Sequence, residues 1–453
     1  MSNREVLVVN PWFCDFKGYD EWSRPLGLLY VAAVLEREGW HVTFVDCLDR
    51  NHRSLPESFN ERAAKYGCGK YPEEEIEKPP MYRKVKRRYK RYGISEAAFL
   101  ADLRDVPPPA AIIVGSLVTF WYEGPFRAIG LLKRLFPGTP VVLGGIYATL
   151  CREHAVARSG ADFVVRGHDI DGLLSFLSDL SGVRPKRSWN GFANYPAPLY
   201  GLLDRPVAVP VMTSMGCPFR CSYCASSILN GGFSGRDPVA LAEELAPVLM
   251  ELGVSDVAFY DDALLVDYFG RTGAFVERLS SLGFRPRFHT PNAMHARYVD
   301  DAVAESLREH GFVSLRLGFE FSDEDMMRRT GGKVRGGDVE RAASALRRAG
   351  FRGRDLKAYL LAGVPGTDAG SVESGLRRCH DLGLTTHISE YSPIPGTAMW
   401  GAFPGVDSEE AGDPLFHNNT YHIYNGTVMP LDEYDRLKSL SRSLNSDLCR
   451  GCD

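Results

Sequence analysis

The sequence lacks any apolar run of the roughly 18 residues that a membrane-spanning helix requires. The best candidate, residues 110–122, is interrupted by Gly115, Ser116 and Thr119. The chain also carries little excess charge, because 53 Lys and Arg against 57 Asp and Glu leave a net charge of −4 at pH 7. These absences argue against a membrane protein and against a nucleic-acid-coating protein, so any such partner must use a local patch.

Cysteine is too sparse for a disulfide-stapled secreted scaffold. The 453 residues contain ten, and three of them fall within residues 217–224, which suits metal ligation in a reducing compartment. The first residues run directly into the strand-like residues 6–9, with no charged and then apolar secretory signal. With 44% hydrophobic and 24% charged residues, the composition is that of a globular enzyme. We expect a soluble, cytoplasmic protein.

Residues 1–180 show a repeating pattern of strands and helices. Apolar strand-like runs alternate with amphipathic helical stretches at residues 25–39 and 126–136. The predicted strands are residues 5–10, 42–45, 111–114, 141–143 and 161–165. This alternation predicts an α/β domain with a doubly wound parallel sheet, whose ligands lie at the carboxyl ends of the strands.

A charged insertion at about residues 51–105 interrupts that pattern. It contains an acidic stretch, residues 73–77, and a basic run, residues 83–91, interleaved with Tyr82, Tyr89 and Tyr92. Basic residues alternating with tyrosines can hold phosphates and stack bases. We favour a solvated helix face that the acidic neighbour partly neutralises, because charge runs are usually surface.

Residues 181–204 read as a linker, since three prolines interrupt any periodicity. A second domain, residues 205–400, repeats the strand and helix alternation. Its predicted strands are residues 208–213, 254–260, 287–290, 313–318, 356–362 and 385–390. Six units are too few for an eight-stranded barrel, so we predict an open, partial (β/α)6 barrel like that of triosephosphate isomerase, with its site at the strand carboxyl ends. Residues 401–453 form a C-terminal extension with a short helix near residues 431–444.

Three cysteines follow the first strand of this second domain. Cys217, Cys221 and Cys224 are spaced four and three residues apart on one predicted loop. Three thiolates satisfy three irons of a [4Fe–4S] cube and leave the fourth iron open to a ligand. A zinc site needs a fourth ligand, and the adjoining loop offers no further His or Cys.

This cysteine motif, with an aromatic residue before the third cysteine, resembles that of the radical S-adenosylmethionine (SAM) superfamily over about residues 205–400. The resemblance implies that Cys217, Cys221 and Cys224 hold the cluster, whose free iron binds SAM and whose electron cleaves it to a 5′-deoxyadenosyl radical. It also implies that Tyr223 lies beside the adenine.

Residues after later strands resemble further SAM contacts of the superfamily. The resemblance implies that Asp261, or its neighbour Asp262, accepts the SAM ammonium group. It also implies that the Glu320 carboxylate binds the ribose hydroxyls, that Asn292 adds a hydrogen bond and that Gly363 lies on a turn beside the adenine. For each polar residue the alternative is a helix cap or an ordinary loop residue.

Loops after three strands of the first domain resemble those of cobalamin-binding domains fused to radical SAM barrels. The implied cobalamin-binding residues are Ser116, Leu117, Thr119, Gly144, Gly145 and Gly167. Small residues there allow a corrin ring to approach the backbone. The Asp-x-His-x-x-Gly loop of methionine synthase is absent, and His168 is interpreted as a loop cap. The alternative is a nucleotide-type α/β domain with ordinary glycine turns.

Together these resemblances imply a cobalamin-dependent radical SAM methyltransferase acting on an unactivated carbon of a small molecule or peptide. An external flavodoxin- or ferredoxin-type protein would supply electrons. The alternatives are a radical SAM rearrangement, cyclisation or sulfur insertion, or RNA modification through the basic insertion. Cys449 and Cys452 form a pair that is two ligands short of a closed site.

Overall fold

The computed structural model describes residues 3–61 and 65–450. Within them the chain forms two compact units. The N-terminal unit comprises the described residues up to Val209, together with Glu251–Gly253 and Gly412–Phe416. The remaining described residues form the barrel unit. No helix among the described residues has the length and apolar character needed to cross a membrane.

The N-terminal unit alternates strands and helices as predicted. Its elements are β1 (Glu5–Asn10), β2 (Phe13–Asp15), α1 (Leu26–Arg37), β3 (His41–Asp46), α2 (Ser58–Glu61), β4 (Glu73–Glu75), β5 (Lys90–Tyr92), α3 (Glu96–Asp102), β6 (Ala111–Val114), α4 (Glu123–Leu135), β7 (Val141–Leu143), α5 (Ile146–Leu150), α6 (Arg152–Arg158), β8 (Phe163–Val164) and α7 (Ile170–Ser181).

Five of these strands form a parallel sheet in the order β3-β1-β6-β7-β8. The predicted α/β fold of this domain is therefore confirmed. β1 pairs with β3 on one side and with β6 on the other, so successive connections run in opposite directions from β1. Ligands of open parallel sheets bind at such a switch point, outside the carboxyl ends of the strands. Here that position lies beyond Asn10 and Val114.

The apolar character of β1 explains its central place. Val6, Leu7, Val8 and Val9 are all essentially without solvent exposure, as expected for a parallel strand that is covered on both faces. α1 packs against β1 and β3. The helix ends shortly before Gly39, whose φ of 87° lies in the left-handed region that glycine adopts without strain.

The charged insertion folds differently from our expectation. Its basic run is not a helix face: residues 83–89 form turns and irregular structure, and Lys90 and Arg91 belong to β5, which pairs antiparallel with β4 and with β2 in a small three-stranded sheet. The pairing sets Arg91 against Glu74, with an ion pair of 2.5 Å. Cross-strand pairs of opposite charge stabilise such a ribbon, which explains the strand.

Part of the predicted linker is packed, although many of its residues are exposed. Trp189 is buried and donates its indole N–H to Glu38 at 2.8 Å, and Tyr200 is fully buried. Residues 181–204 therefore pack as part of the N-terminal unit.

The barrel unit contains the second alternating series. Its elements are β9 (Ala208–Val211), β10 (Ser214–Met215), α8 (Ser226–Asn230), β11 (Ser234–Gly235), α9 (Pro238–Glu251), β12 (Asp256–Phe259), α10 (Ala274–Ser281), β13 (Arg287–His289), β14 (Met294–His295), α11 (Asp301–Glu309), β15 (Phe312–Glu320), α12 (Glu324–Arg329), α13 (Asp338–Arg348), β16 (Leu356–Ala362), α14 (Ala369–Asp381), β17 (Thr385–Glu390), α15 (Asn419–Tyr424) and α16 (Leu431–Arg450).

The six predicted strands of this unit are present and adjacent in the order β17-β16-β15-β13-β12-β9. The pairings described between them are parallel, so the predicted open, partial barrel is confirmed. Burial alternates strictly along β16, with one face towards the helices and the other towards the barrel interior. The predicted short helix of the C-terminal extension is the 20-residue α16, which docks on β17, where Asn445 bonds the backbone of Thr386.

Candidate functional site

The three cysteines of the motif lie on one loop between β10 and α8. Cys217 and Cys221 are half-buried, Cys224 is exposed, and none forms a disulfide. Gly216 opens the loop with a φ of 80°, and a Cβ there would lie 2.3 Å from the carbonyl oxygen of Gly232. Only glycine fits this start of the loop.

A second loop, residues 330–333, packs against the cysteine loop. The backbone N–H of Ser222 donates to the carbonyl of Thr330 at 3.0 Å. At Gly331, whose φ is 120°, a Cβ would lie 3.0 Å from Cys221 Cα. The close approach of the two backbones brings Lys333 beside the thiols, a neighbour that the sequence did not reveal.

The thiols are held in their neutral form by their surroundings. Burial raises the pKa of Cys217 to about 11. Burial also raises the pKa of Cys221, and the nearby Lys333 ammonium opposes this effect. Because metals bind the thiolate, iron would have to displace these thiol protons when it binds.

In the described part of the chain, no three His, Cys, Asp or Glu side chains converge on one ion. A cubane cluster does not need three side chains that converge on one ion, because each of its thiolate ligands binds a different iron. The donor set, three thiols on one short loop beside a lysine, fits such a cluster with one iron left open.

Glu320 ends β15 beside the cysteine loop, in an unusual backbone conformation. Its φ of 56° is left-handed, which is uncommon for a residue with a side chain. Its carboxylate forms a 2.7 Å ion pair with Lys333. Burial alone would lower the pKa of Lys333, but the Glu320 carboxylate, together with Cys221 and Cys224, raises it overall, so the ammonium group stays charged.

Tyr223 lies in the same part of the site, with its ring 6.1 Å from that of Phe321. Burial raises the pKa of Tyr223, and the negative charge of Glu320 adds to this shift. The structure thus brings Glu320 close to Tyr223 on the cysteine loop, and the prediction that both contact one ligand is not tested by it.

Asp261, which the resemblance assigns to the SAM ammonium group, lies in a buried position, and that assignment stays a prediction. Its carboxylate is only 2% exposed and already accepts hydrogen bonds from both the N–H and the hydroxyl groups of Thr213 and Ser214. These bonds join the ends of β9 and β12, so the structure gives Asp261 a structural role. Asp262 accepts from the Ser226 hydroxyl at 2.5 Å and from the Asn230 amide at 2.9 Å.

Asn292 and Gly363 follow the ends of β13 and β16, which are separated in the sheet by β15. The Asn292 side chain donates to the carbonyl of Tyr260 at 2.9 Å, which ties the loop after β13 to the end of β12. Gly363, with a φ of 80°, follows β16, and a Cβ there would lie 2.8 Å from a methyl group of Val428.

The loops after β6 and β7 meet at the edge of the N-terminal sheet. The Ser116 hydroxyl donates to the carbonyl of Gly144 at 2.7 Å, and Gly145, with a φ of 105°, would place a Cβ 2.1 Å from the carbonyl oxygen of Ser116. Leu117 is 38% exposed at this edge, whereas Thr119 is buried. A narrow crevice at the same edge is lined in part by Asn10, Trp12, Ser116, Leu117 and Trp121.

Hydrogen bonds through one threonine side chain link Gly167 to the same edge of the sheet. Its backbone N–H donates to the Thr149 hydroxyl at 2.8 Å, and that hydroxyl donates to the carbonyl of Gly145 at 2.8 Å. The N-cap of α7 is Asp169, whose carboxylate accepts from the N–H of Gly172, and the interpretation of the preceding His168 as a loop cap stays a prediction.

The other predicted features lie away from these two sites or are not accessible. Tyr82, Tyr89 and Tyr92 are at most 2% exposed, so base stacking by these tyrosines is ruled out in this conformation. Cys449 lies near the end of α16, and Cys452 lies outside the described residues.

Comparison with known proteins places these features in context. Residues 211–379 match the family model of the radical SAM superfamily. An uncharacterized methyltransferase, PH0819, of Pyrococcus horikoshii is 24% identical over 68% of this chain and 73% of its own length. A tRNA-2-methylthio-N(6)-dimethylallyladenosine synthase of Cutibacterium acnes is 25% identical over 52% of this chain and about half (51%) of its own length.

A solved structure shares the fold of both units. The radical S-adenosylmethionine methyltransferase TsrM from Kitasatospora setae, with cobalamin and a [4Fe–4S] cluster bound, superimposes with a TM-score of 0.62. The match covers 88% of this chain and 74% of TsrM at 17% identity, so it establishes a common fold.

Proposed function

We propose that this chain, which carries a radical SAM domain over residues 211–379, is a cobalamin-dependent radical SAM methyltransferase. Its substrate would be a small molecule or peptide with an unactivated carbon. The observation that carries the proposal is the loop of Cys217, Cys221 and Cys224 beside the buried Glu320–Lys333 pair.

When bound, the cluster and SAM supply a carbon-centred radical, and cobalamin supplies a methyl carrier. The chain's own residues would hold and orient these groups. Cys217, Cys221 and Cys224 would hold three irons, and the charged pair would present a carboxylate and an ammonium group beside the open iron. Tyr223 and Gly363 would border the adenine, and Asn292 would add a hydrogen bond.

The N-terminal sheet supports the cobalamin part of the proposal. Ser116, Gly144 and Gly145 bring two loops into close backbone contact at the strand carboxyl ends, and Leu117 is an exposed apolar side chain on the first of these loops. Thr119 and Gly167 would complete the surface. Backbone and apolar atoms of these loops would hold the cofactor, since the loops offer no histidine in the expected place. The names of PH0819 and TsrM support methyl transfer.

The structure gives less support to RNA modification through the basic insertion. Its tyrosines are buried, and Lys90 and Arg91 are paired with Glu73 and Glu74. We propose a cytoplasmic location and a flavodoxin- or ferredoxin-type electron donor, because the chemistry needs a low-potential electron.

The proposal is tested with protein purified without oxygen and supplied with hydroxocobalamin, reductant and SAM carrying a deuterated methyl group. We expect retained cobalamin, 5′-deoxyadenosine and passage of the label to the cobalamin, all read by mass spectrometry. Formation of 5′-deoxyadenosine without retained cobalamin would instead favour rearrangement, cyclisation or sulfur insertion.

A paired variant tests the cobalamin surface. Leu117→Asp should lose cobalamin because it places a charge against the corrin. Val156→Asp, at a position on α6 that is 57% exposed, is the matched control and should retain it. Equal retention of cobalamin by both variants would show that Leu117 does not belong to the cobalamin-binding surface.

A further inference from the structure

A buried histidine contacts the first cysteine of the loop. His295 is 2% exposed, and its Nε2 lies 3.8 Å from the sulfur of Cys217. The two residues are 78 positions apart in the sequence, so their contact is created by the fold. A separation of this length is within hydrogen-bonding range for sulfur.

The ring of His295 is held in this orientation from two sides. It stacks on Phe219, a residue of the cysteine loop, with ring centroids 5.0 Å apart and planes inclined by 26°. Arg297 lies over the Phe219 ring at 5.2 Å. The backbone of His295 is fixed by β14, which pairs His295 with Gly318 of β15.

The surroundings of the second ring nitrogen, Nδ1, indicate which of the two nitrogens of His295 carries the proton. Nδ1 of His295 is buried and has no hydrogen-bond partner among the described residues. A buried donor without an acceptor is costly. The proton therefore belongs on Nε2, which faces the sulfur.

We propose that His295 donates its Nε2–H to the Cys217 thiolate when that thiolate binds the cluster, and thereby raises the cluster's reduction potential. This inference rests on the proposed function. Reduction adds negative charge to the cluster and its sulfurs, and a hydrogen bond to a ligand sulfur stabilises that charge. His295 is a positioning residue, because it acts through Cys217.

The test compares His295→Phe with His295→Gln in reconstituted protein. Phenylalanine keeps a ring to stack on Phe219 but removes the donor, whereas glutamine keeps an N–H. His41→Phe, at an exposed position at the start of β3, is the control. Reduction potentials are measured by electron paramagnetic resonance during a redox titration with dithionite.

At a fixed potential we expect His295→Phe to lower the ratio of reduced to oxidised cluster about tenfold, which is ~59 mV for one electron. His295→Gln should recover most of that ratio, and His41→Phe should match the wild type. A wild-type potential in His295→Phe, or equal shifts in the phenylalanine and glutamine variants, would overturn the inference.

A measurement on the unaltered protein decides the matter if the variants fail to assemble. Wild-type protein grown with ¹⁵N-histidine should show ¹⁵N coupling to the reduced cluster in pulsed electron paramagnetic resonance. A reduced cluster without that coupling would overturn the inference and leave the proposed function intact. If reconstituted wild-type protein contained no iron and no sulfide, both the inference and the proposed function would be overturned.

Discussion

Lys333 Nζ lies 2.7 Å from Glu320 Oε1, and this ion pair is mostly shielded from water beside the cysteine loop. A buried pair contributes little net stability, but removal of one partner strands a charge. The pair also joins the end of β15 to the loop that packs on Cys221.

Lys333→Met should therefore destabilise the barrel unit by about 3 kcal/mol, because it leaves the Glu320 carboxylate buried and unpaired. The double variant Glu320→Gln/Lys333→Met should recover most of the loss. The measurement is the urea midpoint of the cluster-free protein under reducing conditions. Arg348→Met, which breaks a well-exposed pair with Asp301, is the control and should cost under about 1 kcal/mol. A wild-type midpoint for Lys333→Met would refute the buried pair.

The two adjacent glycines after β7 provide a matched test of the N-terminal site. Gly145→Ala should destabilise that unit by roughly 2 kcal/mol or more and reduce cobalamin retention, because its Cβ would meet the carbonyl oxygen of Ser116 at 2.1 Å in a left-handed conformation. Gly144→Ala should keep the wild-type thermal stability, since its Cβ meets only Val165 at 3.8 Å. Thermal unfolding and cobalamin absorbance read both effects, and equal behaviour of the two variants would contradict this geometry.

The buried pair of His289 and Asp256 predicts how stability depends on pH. Burial lowers the pKa of His289 below its usual value of about 6.5, so the neutral ring donates to Asp256 at 2.9 Å. Burial raises the pKa of Asp256, but hydrogen bonds from His289 and Arg287 outweigh it and bring the pKa to about 2.

In both groups the unfolded chain takes up a proton at a higher pH than the folded chain, so stability falls as the pH falls. His289 contributes to this loss of stability below about pH 6.5, by at most about 1.4 kcal/mol per pH unit, and Asp256 contributes to it below about pH 4. His289→Gln should keep the hydrogen bond and flatten the decline between pH 6.5 and 5, as read by urea midpoints. His41→Gln is the control, and an unchanged decline in His289→Gln would count against the neutral histidine.

The strands were predictable because their apolar patterns are local. β16 and β17 begin and end at the predicted residues, and alternate burial along β16 follows directly from the sequence. The basic run was wrongly predicted as a helix face because its partner, the acidic β4, lies outside any local window. Strand pairing decides that structure, and charge pattern alone does not.

The site was predictable only where the motif itself carries the chemistry. Cys217, Cys221 and Cys224 share one loop, whereas the role of Asp261 depends on Thr213, which is 48 residues away. Lys333 gave no sequence signal beyond the two glycines before it, and one of these permits the close contact with Cys221. Such relationships arise when distant loops pack at the same sheet edge.

The most direct test measures iron and sulfide in protein reconstituted without oxygen, for the wild type and for Cys217→Ala, Cys221→Ala and Cys224→Ala. We predict four irons and four sulfides for the wild type, as the proposed [4Fe–4S] cluster requires, with formation of 5′-deoxyadenosine from SAM. Each of the three variants should lose that activity, while the control Cys449→Ala keeps it. Colourless wild-type protein containing zinc, or undiminished SAM cleavage by Cys217→Ala, would contradict the account.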